Sequence, residues 1–429
     1  MPRPTSDRRA TERKHPWPMV RLGDVCEVFT DGDWIESKDQ AKSGIRLIQT
    51  GNVGVGEYLD KADRSKFISD STFERLKCTE IYPGDVLVSR LPEPVGRSCV
   101  LPLLNQRMIT AVDCSIVRFK SFILPEFFVA YSQTFQYEAQ ILSYLTGSTR
   151  QRISRGNLAK IEIPLPPLSV QREIVARLER ELAAVEKMKK GFEALAETAR
   201  AEFRAELKEV FEEISRGGAE MRRLGEVCEK IGSGATPLGG KKTYIENGTS
   251  LIRSQNVIDF SFSFLGLAHI SETQAAQLDS VSVFDGDVLV NITGDSVARV
   301  CIVDNRCLPA RVNQHVAIIR LSHSANVLNR YLEACLVAMK DELLKESVKG
   351  STRKALTKDY LINLEIPVPP LSAQREVVAR LDSAKARAEK LEAKAREGVA
   401  VCETMRKAIL KEAFDDGRAS PAIGKVAGR

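Results

Sequence analysis

Two four-residue turns have the composition best suited to gripping a phosphate. Gly147-Ser148-Thr149-Arg150 is followed by Arg152, and Gly350-Ser351-Thr352-Arg353 is followed by Lys354. Small hydroxyl side chains and exposed backbone amides admit an anion closely, and the adjacent cation supplies charge. The same residues also make ordinary turns, in which Ser and Thr cap the next element and Arg is solvated. A second cationic loop, Gly232-Ser-Gly-Ala-Thr-Pro-Leu-Gly-Gly-Lys-Lys-Thr243, carries Lys241 and Lys242. It fails as a nucleotide phosphate loop. Ala235 stands five residues before Gly240, and Lys242 occupies the place of the magnesium-binding hydroxyl after Lys241. It reads either as a glycine-rich turn before a strand or as a loop approaching a nucleic-acid backbone.

Polar residues flanking short apolar runs could read base edges, because Arg pairs bidentately with guanine and Asn or Gln with adenine. In the first half of the chain these are Arg46, Gln49, Asn52, Ser89 and Arg90; in the second half, Arg253, Gln255, Asn256, Asn291 and Thr293. Asn52 and Asn256 fall at equivalent places (256 − 52 = 204), so a shared structural turn explains them equally well. Asp31 and Asp33 would repel phosphate and are expected to shape a turn. His315 is expected to be buried or to sit within a strand pair.

Catalytic chemistry is missing from the pattern. There is no Asn-Pro-Pro-aromatic or Asp-Pro-Pro-Tyr segment for transferring a methyl group to a flipped base, and no acidic cluster of nuclease type. Four histidines show no ligand spacing, and the nine cysteines never fall as Cys-x-x-Cys, so no metal site is expected. Cys26 and Cys228 read as small hydrophobes inside strands. The chain is expected to be non-catalytic on its own. A net charge of +6, from 63 Lys and Arg against 57 Asp and Glu, permits a nucleic-acid partner without demanding one. No apolar run approaches the roughly 20 residues that span a bilayer, and Arg3, Arg8, Arg9, Arg13 and Lys14 replace a secretory core. A cytoplasmic protein without a membrane partner is the expectation.

The elements that must position these residues occur twice. Arg21-Leu-Gly-Asp-Val-Cys-Glu27 returns as Arg223-Leu-Gly-Glu-Val-Cys-Glu229, and Gly84-Asp-Val-Leu-Val88 as Gly286-Asp-Val-Leu-Val290, both at an offset of 202. Ile163-Pro-Leu-Pro-Pro-Leu-Ser-Val-Gln-Arg-Glu173 returns as Ile366-Pro-Val-Pro-Pro-Leu-Ser-Ala-Gln-Arg-Glu376, and Leu207-Lys-Glu-Val-Phe211 as Leu410-Lys-Glu-Ala-Phe414, at an offset of 203. A period this long means a duplicated domain, not a solenoid. Residues 1–16 read as a flexible arm and 418–429 as a flexible tail. Residues 17–167 and 218–370 read as two similar α/β (mixed α+β) domains, with strands at Ile45–Ile48, Gly84–Ser89 and Ser115–Phe119 and one helix over Pro125 to about Tyr144, repeated over about Asn329 to Ser347. Each Pro-rich segment reads as a stiff connector, with Ser169 or Ser372 at the N-cap of a long helix, 168–217 or 371–417. In the second helix Leu381, Ala388, Ala395, Cys402 and Ile409 recur every seven residues, with Ala384, Leu391, Gly398 and Met405 between them. The first carries Leu178, Val185, Phe192 and Ala199, with Met188 and Leu195 between, then shifts to Phe203, Leu207, Val210 and Ile214. These are coiled-coil seams, and two such helices are expected to pair antiparallel as a ruler roughly 65 Å long.

The ordered set resembles the specificity subunit of Type I restriction–modification systems from about Trp17 to Phe414. It comprises the Leu-Gly-Asp/Glu-Val opening, Gly-Ser-Gly-Ala-Thr-Pro, Gly-Asp-Val-Leu-Val, Asn313-Gln-His-Val-Ala-Ile-Ile-Arg320, Gly-Ser-Thr-Arg and Ile-Pro-x-Pro-Pro-Leu-x-x-Gln-Arg-Glu. The resemblance implies two target-recognition domains, each reading half of a bipartite site in double-stranded DNA, about a pseudo-twofold repeat. It implies helices that set the spacer and dock two methyltransferase (modification) subunits; Gln171, Arg172, Glu173, Gln374, Arg375 and Glu376 either contact those partners or anchor domain to helix. S-adenosylmethionine would belong to those subunits, and ATP and magnesium to a restriction (translocase and nuclease) subunit where one exists, leaving no cofactor on this chain. The first copy departs from the pattern: Ala111-Val-Asp-Cys114 replaces Asn313-Gln-His, and Asp31-Gly-Asp-Trp34 replaces the Gly-Ser-Gly-Ala-Thr-Pro loop. The two half-sites should therefore differ. Two other readings fit parts of the pattern: the recognition module of a split or fused methyltransferase–nuclease, and a coiled-coil adaptor whose domains bind protein.

Overall fold

Three apolar runs of the first copy become strands, and the second copy pairs its own in the same order. In this computed structural model the described residues are 16–415, apart from 148–150, 238 and 349–354. The expected arm at 1–16, save its last residue, and the tail at 418–429 lie outside them, as does the side chain of Lys241. In the first copy, Cys26–Asp31, Cys114–Phe119, Val86–Ser89 and Ser98–Val100 form an antiparallel sheet in that order. The second copy repeats it with Cys228–Ser233, Val316–Leu321, Val288–Asn291 and Val300–Ile302. A second sheet runs Lys66–Ile68, Ile45–Ile48, Met108–Thr110, Glu80–Ile81, with a parallel central pair. Ala268–Ile270, Thr249–Ile252, Ala310–Val312 and Ser282–Val283 match it strand for strand. The hairpin of Val257–Ile258 and Ser261–Phe262 is reduced in the first copy to a single antiparallel bridge, Val53 to Tyr58.

Continuous apolar runs such as Val86-Leu-Val88 form strands buried on both faces. Val86 and Val88 point to the core shared with the helices, while Leu87 points to the core between the sheets. Val288, Val290 and Leu289 divide in the same way. The aspartate before each run has a structural task. Buried Asp85 takes a bidentate pair from Arg118 on the neighbouring strand (2.7 and 2.8 Å) and caps Tyr82 N. Asp287 does the same with Arg320 (2.7 Å twice) and Phe284 N. The carboxylate so raises each arginine further above its ordinary range.

Several expected boundaries move. The single helix after the first sheet is two, Pro125–Tyr131 and Phe135–Ser143, because Thr134 leaves the helical line and caps Tyr137 N. The counterpart breaks at Met339 into Asn329–Ala338 and Lys340–Ser347. The Ile-Pro segments are strands before they are connectors: Glu162–Pro164 pairs with Met19–Arg21, and Glu365–Val368 with Glu220–Arg223. Two-stranded ribbons tolerate such prolines because each has an open edge. The long helices run Leu168–Arg216 and Leu371–Asp415, so Ser169 and Ser372 lie inside the first turn and are not the N-caps.

The chain divides into two compact units, and the division falls in the middle of both long helices. The first unit is Met1–Phe192 with Glu397–Arg429, and the second is Glu193–Arg396. Within each unit the two helical segments run antiparallel. Arg177 pairs with Glu412 at 2.6 Å and Lys189 with Glu403 at 3.8 Å in the first. Arg200 pairs with Glu392 at 3.0 Å and Arg380 with Glu213 at 2.8 Å in the second. Much of the expected seam is buried, including Leu178, Val185, Ala199, Leu381, Ala384, Ala388, Ala395 and Cys402. Met188 and Met405 are exposed instead. Gly398 has room for Phe192 only because it lacks a Cβ, which would stand 2.4 Å from that ring. At the ends of the helices the seam dissolves into the globular cores. Phe414 packs on Tyr131 and Phe127 (5.3 and 5.4 Å between centroids), and Phe211 packs on Tyr331 at 5.5 Å. Each unit thus buries the start of one long helix and the end of the other.

Candidate nucleic-acid interface

In both copies the sequence-singled loops gather at one end of the first sheet. In the first copy, Arg90 Nη2 donates to Val112 O (2.6 Å) and Ile153 N donates to Arg90 O (3.3 Å). Thr146 and Arg152 pair through their backbones. Arg152 reaches Asp113 at 3.4 Å, and Asp33 bridges to Ala111. In the second copy, Ile292 N donates to His315 O (2.9 Å), Leu356 N donates to Ile292 O (2.8 Å), and Thr293 bridges to Ala355. Thr236 Oγ1 donates to Gln314 Oε1 at 2.5 Å. The turn residues Ser148, Thr149, Arg150, Ser351, Thr352, Arg353 and Lys354 lie outside the described residues. Lys242 is exposed on the Gly240–Thr243 turn, and Arg152 is about half-exposed.

Most of the polar residues picked as base readers point inward. Asn52 and Asn256 are buried, and each makes the same two contacts. Asn52 Oδ1 accepts from Gln49 N (3.0 Å) and its Nδ2 donates to Leu59 O (2.9 Å). Asn256 Oδ1 accepts from Arg253 N (2.9 Å) and Nδ2 donates to Ser263 O (2.8 Å). The shared-turn explanation therefore accounts for both. Ser89 is fully buried and donates to Leu91 O (3.1 Å), and Asn291 is fully buried and donates to Ser254 O (2.8 Å). Arg46 is buried against Asp60. Arg90 is only 4 % exposed and faces Asp31 at 3.3 Å. Burial pulls its guanidinium below the ordinary arginine range, and Asp31 opposes that shift. None of these six presents its polar end at a surface. For the three asparagines and the serine the physical reason is shared: a loop that turns sharply at a sheet end must satisfy its own backbone, and short polar side chains do so. Arg46 is held instead by the Asp60 carboxylate, and Arg90 by Asp31 and Val112 O.

Four candidates remain at the surface. Gln255 is exposed and donates to Leu265 O and Gly266 O (3.2 and 3.0 Å). Arg253 lies over the Tyr244 ring at 5.5 Å. Gln49 and Thr293 are half-buried. The carboxylates of Asp31 and Asp33, expected to shape a turn, instead tie distant segments together. Asp31, the last residue of the strand Cys26–Asp31, accepts from Ser115 Oγ on the paired strand (3.0 Å), and Asp33 accepts from Thr79 N (2.8 Å) while burial raises its pKa. His315 is half-buried, one residue before the strand Val316–Leu321, with Thr293 on its Nδ1 and Gln314 on its Nε2. Sequence reasoning missed Arg97, which donates to Thr50 O, Val53 O, Leu91 O and Pro94 O and so staples two rim loops. It also missed Gln314, although it stands inside a quoted motif.

The duplicated Gln-Arg-Glu segments split by face. Gln171 is fully buried; its Nε2 donates to Phe122 O and Pro166 O and its Oε1 accepts from Leu124 N, all at 2.9 Å. Gln374 repeats this with Asn326 O, Pro369 O and Leu328 N. Both glutamines anchor helix to domain and have no group left for a partner. Arg172, Glu173, Arg375 and Glu376 are exposed. Among the described residues no group of three or more His, Cys, Asp or Glu could hold a metal, and no helix is long and apolar enough to cross a membrane.

A duplicated α+β domain, with loops clustered at one sheet end and long helices shared by both units, defines a protein with two similar domains that each present a rim of loops. The chain belongs to the Type I restriction modification DNA specificity domain family, which matches residues 14–192 and 217–399. It is similar to the putative Type I restriction enzyme MjaX specificity subunit of Methanocaldococcus jannaschii, 21 % identical over 85 % of this chain and 86 % of that one. Its similarity to the EcoKI specificity subunit of Escherichia coli K12 is 22 % identity over 86 % and 81 %. Among solved structures, a chain from work on assembly and conformational transition of the Type I R-M system superposes with a TM-score of 0.73 at 23 % identity, covering 94 % of this chain and 98 % of that one. The HsdS subunit from Thermoanaerobacter tengcongensis gives 0.53 at 22 % identity, covering 94 % and 97 %.

Proposed function

We propose that the chain is the sequence-specific DNA-binding specificity subunit of a Type I restriction–modification complex. Each domain would read one half of a bipartite duplex site through its rim loops, and the helix pair would set the spacer. The observation that carries this reading is the same loop cluster occurring twice, on one backbone plan, with different residues in it. Shared strands give shared docking on a duplex, and divergent rims give two different half-sites. Lys242, Arg152 and the two Gly-Ser-Thr-Arg turns are the phosphate contacts of this scheme; Gln49, Arg253, Gln255 and Thr293 are its remaining base-edge candidates. Exposed Arg172, Glu173, Arg375 and Glu376 are the docking candidates for two methyltransferase subunits. Those partners would supply S-adenosylmethionine and base flipping, and a restriction subunit, where present, ATP hydrolysis with magnesium. The chain itself would be a non-catalytic, cytoplasmic scaffold.

The test is methylation mapping of the host genome with and without the gene for this chain. Deletion should erase one bipartite adenine-methylation motif. Replacing residues 218–370 with the equivalent domain of a relative should change one half of that motif and leave the other half. An unchanged methylome, or both halves changing together, refutes the proposal.

A further inference from the structure

The two motifs confined to the second copy meet at one side chain. Gln314 is exposed on the rim, between Thr236 from the Gly-Ser-Gly-Ala-Thr-Pro loop and His315 from its own strand entry. Thr236 Oγ1 lies 2.5 Å from Gln314 Oε1, and Gln314 Nε2 lies 2.9 Å from His315 Nε2. His315 Nδ1 in turn bonds Thr293 Oγ1, and His315 N donates to Asn313 Oδ1 at 3.1 Å. The donors and acceptors can be counted. A nitrogen facing a nitrogen requires that the amide donate and the imidazole accept, so His315 carries its proton on Nδ1 and donates to Thr293. Thr236 donates to the amide oxygen. One N–H and one oxygen lone pair of Gln314 are thus used inward, and one of each remains outward. Turning the amide over leaves the same outward count.

We infer that Gln314, held by Thr236 and His315, is a specificity-determining residue that reads an adenine in the half-site of the second domain. The inference rests on the DNA-recognition reading above and deepens it. An outward edge of one donor and one acceptor complements adenine, which offers N7 as acceptor and N6–H as donor in the major groove. Guanine offers two acceptors there, so one amide atom would face a like group. A side chain clamped at both polar atoms also loses less rotational freedom on binding than a free glutamine. The first copy has no such device. Val112 and Asp113 occupy the corresponding places (314 − 202 = 112), and there Val112 O accepts from Arg90 while Asp113 pairs with Arg152. Thr236 and His315 are positioning residues.

The experiment is selection from a randomised duplex library with the full chain, tagged and purified from its own host with the subunits it carries. The wild type should enrich a bipartite motif with an adenine in one half-site, preferred over guanine by roughly 5- to 150-fold, the range of a good bidentate pair. Gln314→Ala should lose that preference at that single position. Gln314→Glu presents acceptors only and should shift the position from adenine towards cytosine, whose N4 donates. Thr236→Val should broaden it without altering the other half-site. A motif that is enriched but unchanged in all three variants overturns the assignment of Gln314 and leaves the DNA reading intact. A Gln314→Glu protein that loses adenine without gaining cytosine overturns the edge argument. Failure of the wild type to enrich any motif overturns both.

Discussion

Phe414→Ala should loosen a domain whose first residue lies almost four hundred positions earlier in the chain. The Phe414 ring is fully buried, and its neighbours are Tyr131 and Phe127 on the helix of residues Pro125–Tyr131. Removing a buried phenyl group costs about 3–5 kcal/mol, because the lost transfer energy is joined by that of the cavity left behind. At 1.4 kcal/mol per tenfold, amides that exchange by opening of this core should do so roughly 10²- to 4 × 10³-fold faster. Hydrogen exchange read by mass spectrometry resolves where. Peptides spanning Pro125–Tyr131 and Phe135–Ser143 should speed up, while those of Asn329–Ala338 in the second unit should hold. Phe211→Ala should give the reverse pattern, since Phe211 packs on Tyr331. Faster exchange confined to the last helical turns, or faster exchange in Asn329–Ala338 on loss of Phe414, would refute the reciprocal burial of helix ends.

Two further outcomes test the second unit. Glu333 is buried and accepts from Ile302 N (3.0 Å), and burial raises its pKa above the ordinary glutamate value. Between the two values the folded form keeps a proton that the unfolded form has released, so stability falls as pH rises through that window. Glu333→Gln retains the acceptor without the charge; thermal melts at several pH values should show it at least as stable as wild type at neutral pH, its advantage shrinking on acidification, and a pH-independent difference contradicts this. Gln374→Ala strips Leu328 N of its acceptor and the carbonyls of Asn326 and Pro369, the latter buried, of their donor, at a cost of about 2–4 kcal/mol. The urea midpoint should drop well below that of the exposed neighbour Arg375→Ala, and equal midpoints would remove the anchoring role.

Sequence alone determined the duplication, the mixed α+β class, the strand runs and the two long helices. Each of these follows from local periodicity or from register between copies, which need no knowledge of neighbours in space. The repeated Leu-Lys-Glu-Val/Ala-Phe ends of the helices were visible too. Which domain receives Phe414 and which Phe211 was not, because an apolar stripe says that a face will be buried and not by what. The rim shows the same limit. Asn52, Asn256, Ser89, Asn291, Arg46 and Arg90 are of types that could meet a base, yet residue type carries no sign of whether a side chain points in or out. The sharp turns at the sheet ends, whose backbone groups must be satisfied, drew the asparagines and the serine inward, and the carboxylates of Asp60 and Asp31 drew in Arg46 and Arg90. Conversely, Gln314 became a candidate when the fold set Thr236 against it, opposite its chain neighbour His315, a juxtaposition made by strand pairing between segments far apart in the chain.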